Sequence, residues 1–314
     1  MENIQWATDY LLAHGYTITS APEIIQTTPW SRLTCFHTSM GKIYLKQTPP
    51  ALSLESRIIE ILHDQFQASV PTVIATHPNL NCFLMTDSGK PLRDFLMNDF
   101  QPNLLSNAIH TYTSIQVATA DHINVFLALG VPDWRLAKLP QLYAEFMENE
   151  TFLLQDGMTA PEILMLQHLQ SQYSDWCERL SRYAIPETLD HCDFHDNNIL
   201  LDAHTQQITI IDWGETVITN PFFSLVSCLN QVTRRYPVKE TDNIYIQLEE
   251  ACLQQWRDYP EKNLRDAFQL TKKCWPIYAA LGFYRLTLSV NAESFQSNAG
   301  RISGYLKKFI DSAK

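Results

Sequence analysis

The feature that most constrains the fold is a polar loop, residues 191–198, followed by two short apolar runs. The loop has the pattern His-x-Asp-x-x-x-x-Asn and leads into the apolar residues 199–201; after a turn, the second run (208–211) ends in Asp-Trp-Gly. Two such runs pair as an antiparallel hairpin, which sets the start of the first beside the end of the second. The sequence therefore predicts that Asn198 and Asp212 lie close together.

The residue types at this hairpin predict a phosphate chemistry. Magnesium is a hard cation that takes one or two carboxylates together with the phosphates of a substrate. Phosphoryl transfer also needs a group that orients the attacking hydroxyl and accepts its proton. We therefore interpret Asn198 and Asp212 as magnesium ligands, and Asp193, on the adjoining loop, as the catalytic base.

The segments around the hairpin predict two unequal lobes. In the first part of the chain, short β-rich runs, including a hairpin that turns at Gly41, flank one helix with an apolar stripe from Leu54 to Phe66. After the turn-rich residues 87–91 the pattern is mostly helical. We expect an N-terminal lobe (1–88) and a larger C-terminal lobe (89–314).

The loop and the Asp-x-Gly that follows it have the pattern of kinase folds, and they resemble the aminoglycoside phosphotransferase family, whose loop runs His-Gly-Asp-x-His. The strand of Lys46, the helix of Glu55 and the helix 112–116 extend the resemblance over about residues 25–290, most strongly at 189–225. It implies an α+β, bilobal protein-kinase-like fold. The small sheet-containing N-terminal lobe (1–88) would bind the nucleotide, the larger helical C-terminal lobe (89–314) would be the catalytic and substrate-binding lobe, and the active site would lie in the cleft between them. The resemblance also implies an ATP-dependent enzyme that phosphorylates a hydroxyl of a small molecule.

Roles for further residues follow from the same resemblance. Lys46 would hold the α- and β-phosphates of ATP, and Glu55, in preference to its rival Glu60, would pair with Lys46 and keep it aimed. His191 would brace the catalytic loop. The remaining nucleotide contacts implied are Ser31, Met85, Thr86 and Asp87.

The chain departs from the family pattern at two places. It has no Gly-x-Gly-x-x-Gly loop, and the equivalent turn is Pro-Trp-Ser-Arg at 29–32, so the choice between ATP and GTP stays open. Ser224 stands where many members of the family have an Asp that supports the catalytic loop. We therefore expect this loop to be braced differently.

Four other residues near the loop have their own interpretations. His195 is interpreted as a hydrogen-bonding residue that stabilises the loop, and Trp213 as packing beneath it. Asp196 and Glu215 are candidates to face a cationic substrate, with solvated loop acids as the alternative interpretation.

Composition limits the partners and the compartment. A formal net charge of -11 argues against binding nucleic-acid phosphates and favours a cationic acceptor, although aminoglycosides, amino alcohols and sugars all stay open. The seven cysteines are odd in number, scattered and without a Cys-x-x-Cys pair, which is typical of reduced thiols in a cytoplasmic protein. No signal peptide and no apolar run of membrane-spanning length is evident, and the oligomeric state stays open.

Two other functions compete with this interpretation. A metal-dependent hydrolase could use His191, Asp193 and His195, but the other histidines form no His-x-His or second His-x-x-x-His group. A nucleotide-binding pseudokinase would be expected to lack the base or a metal ligand. A protein kinase is disfavoured because only residues 215–224 separate Gly214 from the next helices, with no Ala-Pro-Glu motif.

Overall fold

The computed structural model describes residues 2–290 and 299–313, which begin with one helix and a five-stranded antiparallel sheet. Helix α1 spans Glu2–Ala13. The strands follow in the spatial order β1-β2-β3-β5-β4. Their bounds are β1 Glu23–Thr27, β2 Arg32–Thr38, β3 Gly41–Gln47, β4 Val73–His77 and β5 Cys82–Thr86.

Helix α2, Glu55–Phe66, carries the predicted apolar stripe. Its buried residues include Ile58, Ile59 and Leu62, which join the main hydrophobic core. Helix α1 belongs to a second core cluster, in which Ala7 and Leu11 lie with the inward side chains of β2 and β3. Apolar burial of this kind stabilises the sheet by about 25 cal/mol for each Å² removed from water.

The second part of the chain is mostly helical, as predicted. Its helices before the catalytic loop are α3 Leu92–Leu96, α4 Pro102–Thr119, α5 Ile123–Leu129, α6 Leu139–Met147, α7 Glu150–Gln155, α8 Ala160–His168 and α9 Gln170–Ser181. Those after it are α10 Phe223–Arg235, α11 Asn243–Leu253, α12 Glu261–Leu288 and α13 Arg301–Ser312. Several begin with Pro in the first turn, where its missing N–H costs nothing.

Short strands carry the polar loop between these two groups of helices. The strands are β6 Lys90–Pro91, β7 Thr188–Asp190, β8 Ile199–Leu201, β9 Ile208–Ile210 and β10 Val217–Thr219. Strands β8 and β9 form the predicted hairpin, with Ile199 opposite Ile210, and β7 pairs with β10.

The predicted linker at 87–91 is partly ordered as a strand, since β6 pairs with β8. The predicted boundary between lobes at residues 88 and 89 stays a prediction, although the five-stranded sheet ends at Thr86. All seven cysteines are free. None of the described helices has the length and apolar character to cross a bilayer.

Candidate active site

A backbone hydrogen bond of the β8–β9 hairpin places the two predicted metal ligands, Asn198 and Asp212, close together. The Ile211 N–H donates to the Asn198 carbonyl at 3.0 Å, which places Asp212 directly after the residue paired with Asn198. The Asn198 side-chain amide donates to the backbone oxygen and to Oδ2 of Asp193, both at 2.9 Å. Both amide hydrogens are thus directed at Asp193, and the Asn198 Oδ1 is the atom left for another partner.

Lys46 connects the five-stranded sheet to this hairpin. Its Nζ lies 2.7 Å from Glu55 Oε1 and 2.6 Å from Asp212 Oδ1. The side chain of Lys46 is 8% exposed and that of Glu55 is 2% exposed, whereas that of Asp212 is 44% exposed. The rival acid Glu60 pairs with Arg57 instead. The structure therefore forms the Lys46–Glu55 pair that the resemblance implied, and it adds a contact between Lys46 and Asp212 that the sequence analysis did not predict.

Burial and charge shift the pKa values of this ion pair. Burial lowers the pKa of Lys46, but the charges of Asp212 and Glu55 outweigh it and raise the pKa overall. Burial also raises the pKa of Glu55 to about 7, against the opposing charge of Lys46. Glu55 is therefore close to its titration point at neutral pH, and its Oε2 has no hydrogen-bond partner among the described residues.

The backbone turn that follows β9 passes close to neighbouring side chains. Asp212 has φ +69°, in the left-handed region that few residues other than glycine adopt easily. A Cβ at Gly214 would lie 3.4 Å from Glu55 Oε2 and 3.6 Å from the Leu52 side chain. The glycine of Asp-Trp-Gly thus lets the turn pass close to the Lys46–Glu55 pair.

His191 braces the loop from within the core. Its Nε2 donates to the Ile211 carbonyl at 2.8 Å, and its Nδ1 accepts the Asp193 N–H at 3.3 Å. Burial lowers the pKa of His191, which favours this neutral form. Trp213 is fully buried, with its ring centroid 4.8 Å from that of His191. Because both ring nitrogens bond within the protein, His191 has no nitrogen free for the metal of the hydrolase alternative.

His195 stabilises the same loop. Its Nδ1 accepts the Asn197 N–H at 3.2 Å, and its Nε2 lies 3.3 Å from Asp193 Oδ2. Burial raises the pKa of Asp193, but His195 and Asn198 outweigh it and lower the pKa below its usual range. Asp193 is therefore ionised at neutral pH, the state in which it can accept a proton.

Asp190, which the sequence analysis missed, is the centre of a buried hydrogen-bond network. Its carboxylate accepts from Ser224 Oγ at 2.6 Å, Tyr278 OH at 2.5 Å and Tyr112 OH at 3.2 Å. Ser224 Oγ in turn accepts the Cys192 N–H at 2.9 Å. Burial raises the pKa of Asp190 to about 6, against these hydrogen bonds. The loop is thus supported differently from the family pattern, as expected: Asp190 supplies the carboxylate, and Ser224 connects it to the loop.

Asp196 has a different role from the one suggested by the sequence. It is 5% exposed. Its carboxylate accepts hydrogen bonds from Arg93 Nε at 3.0 Å and Nη2 at 2.7 Å, and from Tyr236 OH. It is a buried structural acid and does not face a substrate. The suggestion of a substrate-facing acid was therefore wrong for Asp196.

The residues predicted to meet the adenine are partly engaged by the protein. The Thr86 N–H donates to the Thr72 carbonyl at 3.1 Å, and the Asp87 N–H donates to the Lys42 carbonyl at 3.3 Å. Met85 is buried within β5. Two of the predicted backbone donors are thus already bonded, while their carbonyl groups stay candidates for a base edge.

The turn at 29–32 is tied to the helical part of the chain. Ser31 is bound to Thr28, whose hydroxyl accepts the Ser31 N–H at 2.9 Å. The Trp30 indole donates to the Leu286 carbonyl at 3.1 Å and lies edge-on to Phe283. The predicted phosphate turn is therefore fixed against α12.

A cavity of about 240 Å³ opens beside the catalytic loop. Asp193, His195 and Glu215 line one side of it, so Glu215 does face a pocket. One face each of α10, α12 and α13 forms the rest of the wall, and Trp30 closes it from the sheet side. Among the residues described, no group of three or more His, Cys, Asp or Glu side chains is arranged to hold a metal ion.

Comparisons with known proteins agree with this architecture. A family model described as the phosphotransferase enzyme family matches residues 31–262. No curated protein matches the sequence significantly.

Solved structures show the fold. A macrolide 2'-phosphotransferase type I is 13% identical with a TM-score of 0.61, over 95% of this chain and 96% of its own. A thermostable mutant of aminoglycoside phosphotransferase APH(4)-Ia, in a ternary complex with AMP-PNP and hygromycin B, is 12% identical with a TM-score of 0.63, over 98% of each chain. An ethanolamine kinase from Plasmodium vivax is 15% identical with a TM-score of 0.53, over 86% of this chain and 82% of its own.

The solved structures confirm the predicted α+β, protein-kinase-like fold. The family model confirms the predicted enzyme class, a phosphotransferase. The family model covers well over half of the chain and includes both the Lys46–Glu55 pair and the loop of Asp193. The chain therefore belongs to the phosphotransferase enzyme family.

Proposed function

We propose that the protein transfers the γ-phosphoryl group of ATP to a hydroxyl group of a small molecule, with Mg²⁺ as cofactor. The observation that carries the proposal is the contact of one buried lysine with two carboxylates, Glu55 and Asp212, beside the loop of Asp193. In this arrangement Lys46 would serve as the phosphate-binding cation, Asp212 as the metal ligand and Asp193 as the base, which are the parts that phosphoryl transfer needs.

The residues present fit a magnesium ion. Asp212 offers a half-exposed carboxylate, and the Asn198 amide directs its hydrogens to Asp193, so that its oxygen is free for a cation. One carboxylate and one amide oxygen are a sufficient protein share for Mg²⁺, which keeps waters and substrate phosphates as its other ligands. When bound, the ion would neutralise charge on the β- and γ-phosphates.

The chain's own residues would then perform the remaining work. Lys46, held in place by Glu55, would bind the α- and β-phosphates, and Asp193 would orient the acceptor hydroxyl and take its proton. Because Asp193 lines the cavity, an acceptor in that cavity can present a hydroxyl to it. His191 and the Asp190 network would keep the loop in this geometry.

Relatives by fold support the same class of reaction. One of the solved structures contains AMP-PNP and hygromycin B, and another is an ethanolamine kinase. We propose ATP as the donor, with GTP as the alternative, and a cytoplasmic location, which cell fractionation would test.

The proposal is tested by measuring ADP formation with a panel of hydroxylated metabolites in the presence of Mg²⁺. Replacement of either Asp193 or Asp212 by Asn should lower the rate by about 10²–10⁴-fold while the circular dichroism spectrum stays unchanged. Asp94→Asn, an exposed acid on α3, is the control and should keep full activity. Retention of wild-type rates in either active-site variant would contradict the proposal.

A further inference from the structure

The cavity beside Asp193 lies on the acceptor side of the site. None of Lys46, Glu55, Asn198 and Asp212, the residues assigned to ATP and Mg²⁺, is among its lining residues, whereas Asp193 is. The cavity is therefore next to the proposed phosphate-binding residues and does not include them. A molecule bound in it meets the base directly, as a phosphoryl acceptor must.

Basic side chains line this cavity. Arg234 on α10 and Arg301 and Lys308 on α13 contribute cationic groups, against the carboxylates of Asp193 and Glu215. This excess of positive charge stands out in a chain whose formal net charge is -11. None of the ion pairs found among the described residues includes Arg234, Arg301 or Lys308.

Two of these cations lie against aromatic side chains of the cavity wall. The guanidinium carbon of Arg301 lies 4.5 Å from the ring centroid of Phe283, and the Lys308 Nζ lies 6.0 Å from that of Trp275. Both distances are within the range of cation–π attraction. Arg301 and Lys308 are seven residues apart on α13, two helical turns, and so project from the same face.

The cations and the proposed base come from different elements of the cavity wall. The base comes from the loop, while the cations come from α10 and α13, on the helical walls of the cavity. An acceptor that spans the cavity would place a hydroxyl at Asp193 and another group among the cations. A polycation would meet Arg234, Arg301 and Lys308 as like charges, which disfavours binding.

The size of the cavity limits the acceptor. Its volume of about 240 Å³ is below the ~300–1,000 Å³ of pockets that hold drug-sized ligands. The cavity therefore suits a compact molecule of metabolite size.

We propose that the acceptor is a small hydroxylated anion, carrying a carboxylate or phosphate that Arg234, Arg301 and Lys308 bind while its hydroxyl faces Asp193. This inference rests on the proposed phosphotransferase function and names the acceptor class for that site. It replaces the cationic acceptor that the overall charge of the sequence suggested. Arginine suits the role because its planar guanidinium binds carboxylate and phosphate oxygens in pairs.

The first test measures ADP formation with three matched pools of hydroxylated compounds. The anionic pool holds hydroxy acids, uronic acids and aldonic acids in one half and sugar phosphates in the other. The neutral pool holds sugars and polyols, and the cationic pool holds amino sugars, amino alcohols and aminoglycosides. We expect ADP formation above the acceptor-free rate with the anionic pool, and its two halves distinguish a carboxylate from a phosphate. No stimulation by either half, or greater stimulation by the cationic or neutral pool, overturns the proposal.

The reaction without acceptor distinguishes a failure of the proposed acceptor class from a failure of the proposed phosphotransferase function. Slow Mg²⁺-dependent hydrolysis of ATP by the wild-type protein reports on the phosphotransfer residues without any acceptor. If this hydrolysis occurs and depends on Asp212 while the anionic pool fails, the acceptor class is wrong and the proposed function stands. If neither hydrolysis nor transfer to any pool occurs, both proposals fall.

A second test uses neighbouring arginines on α10. Arg234 and Arg235 are both exposed, but only Arg234 lines the cavity. Arg234→Gln and Arg301→Gln should each raise the KM for the active anion at least tenfold, and Arg301→Lys should retain part of the affinity. The control Arg235→Gln should leave the KM unchanged. Equal KM values for Arg234→Gln and Arg235→Gln, with Arg301→Gln at the wild-type value, would refute the assignment of these cations.

Discussion

Replacement of Ser224 by Ala tests the network that supports the catalytic loop. The hydroxyl donates to Asp190 Oδ2 at 2.6 Å and accepts the Cys192 N–H at 2.9 Å, so one substitution removes two interactions. A hydrogen bond to an ionised group contributes ~1.5–3 kcal/mol, and a buried donor left without a partner costs ~1–3 kcal/mol. We expect a loss of roughly 3–5 kcal/mol in the free energy of unfolding at pH 8, where Asp190 is ionised.

The loss should be smaller at low pH. The pKa of Asp190 is raised from its ordinary 3.8 to about 6 in the folded protein. The folded state therefore binds more protons than the unfolded state between these values, and stability decreases as pH rises through that window. At pH 5 the carboxyl is mostly protonated, and the Ser224 bond is then a neutral one of ~1 kcal/mol. The effect of the substitution should thus be about 1–2 kcal/mol smaller at pH 5 than at pH 8.

Urea unfolding followed by tryptophan fluorescence at both pH values measures this difference. Ser227→Ala is the matched control, because Ser227 lies one turn later on α10 and accepts from the Trp275 indole at 2.7 Å, with no carboxylate involved. Its effect should be about 1 kcal/mol at either pH. An equal loss at pH 5 and pH 8 for Ser224→Ala, or a loss no greater than that of the control, would refute the role assigned to Asp190.

Other predictions follow from the ion pair and the turn. Lys46→Met should lower kcat/KM for ATP by about 10²-fold, by the loss of a fixed charge at the phosphates, and steady-state kinetics measure it; a wild-type value would contradict the assignment. Because the pKa of Glu55 is about 7, its pair with Lys46 is fully charged only above that pH. The KM for ATP should therefore fall from pH 6 to pH 8, and Glu55→Gln should remove this dependence on pH. Trp30→Phe should cost about 1 kcal/mol in urea unfolding through the lost bond to the Leu286 carbonyl, whereas an unchanged midpoint would show that the bond contributes nothing.

Local patterns predicted the hairpin and the lysine pair well, for a physical reason. The pairing of β8 with β9 follows from two apolar runs separated by one turn, and Glu55 lies only nine residues from Lys46. Short separations in sequence leave few alternative partners. The same reasoning predicts that Asn198 and Asp212 lie close together.

Contacts between distant residues could not be predicted in this way. Asp190 meets Tyr278 across 88 residues of sequence, and Asp196 meets Arg93 across 103. A polar loop acid has the same local signature whether it faces water or a distant arginine, which is why Asp196 was misassigned. The signal in the sequence for the missed carboxylate was its position directly before His191, and the structure shows that this position ends the fully buried β7.

The cavity was beyond the sequence analysis for the same reason. Its walls combine the loop with single faces of α10, α12 and α13. Each helix reads separately as an ordinary amphipathic segment, so nothing in the pattern shows that Arg234 and Arg301 face the same cavity. The net charge of the whole chain predicts the opposite sign of ligand from the one that we propose, because it averages over surfaces that an acceptor in the cavity would not touch.

The central claim is most directly tested by a crystal structure of the protein with AMP-PNP and Mn²⁺, which replaces Mg²⁺ and is located by its anomalous scattering. The account predicts a manganese peak within about 2.5 Å of both an Asp212 carboxylate oxygen and the Asn198 amide oxygen, in contact with the triphosphate. It also predicts the Lys46 ammonium at the α- and β-phosphates. A peak beside His195 and away from Asp212, or a nucleotide bound outside the cleft, would contradict the account.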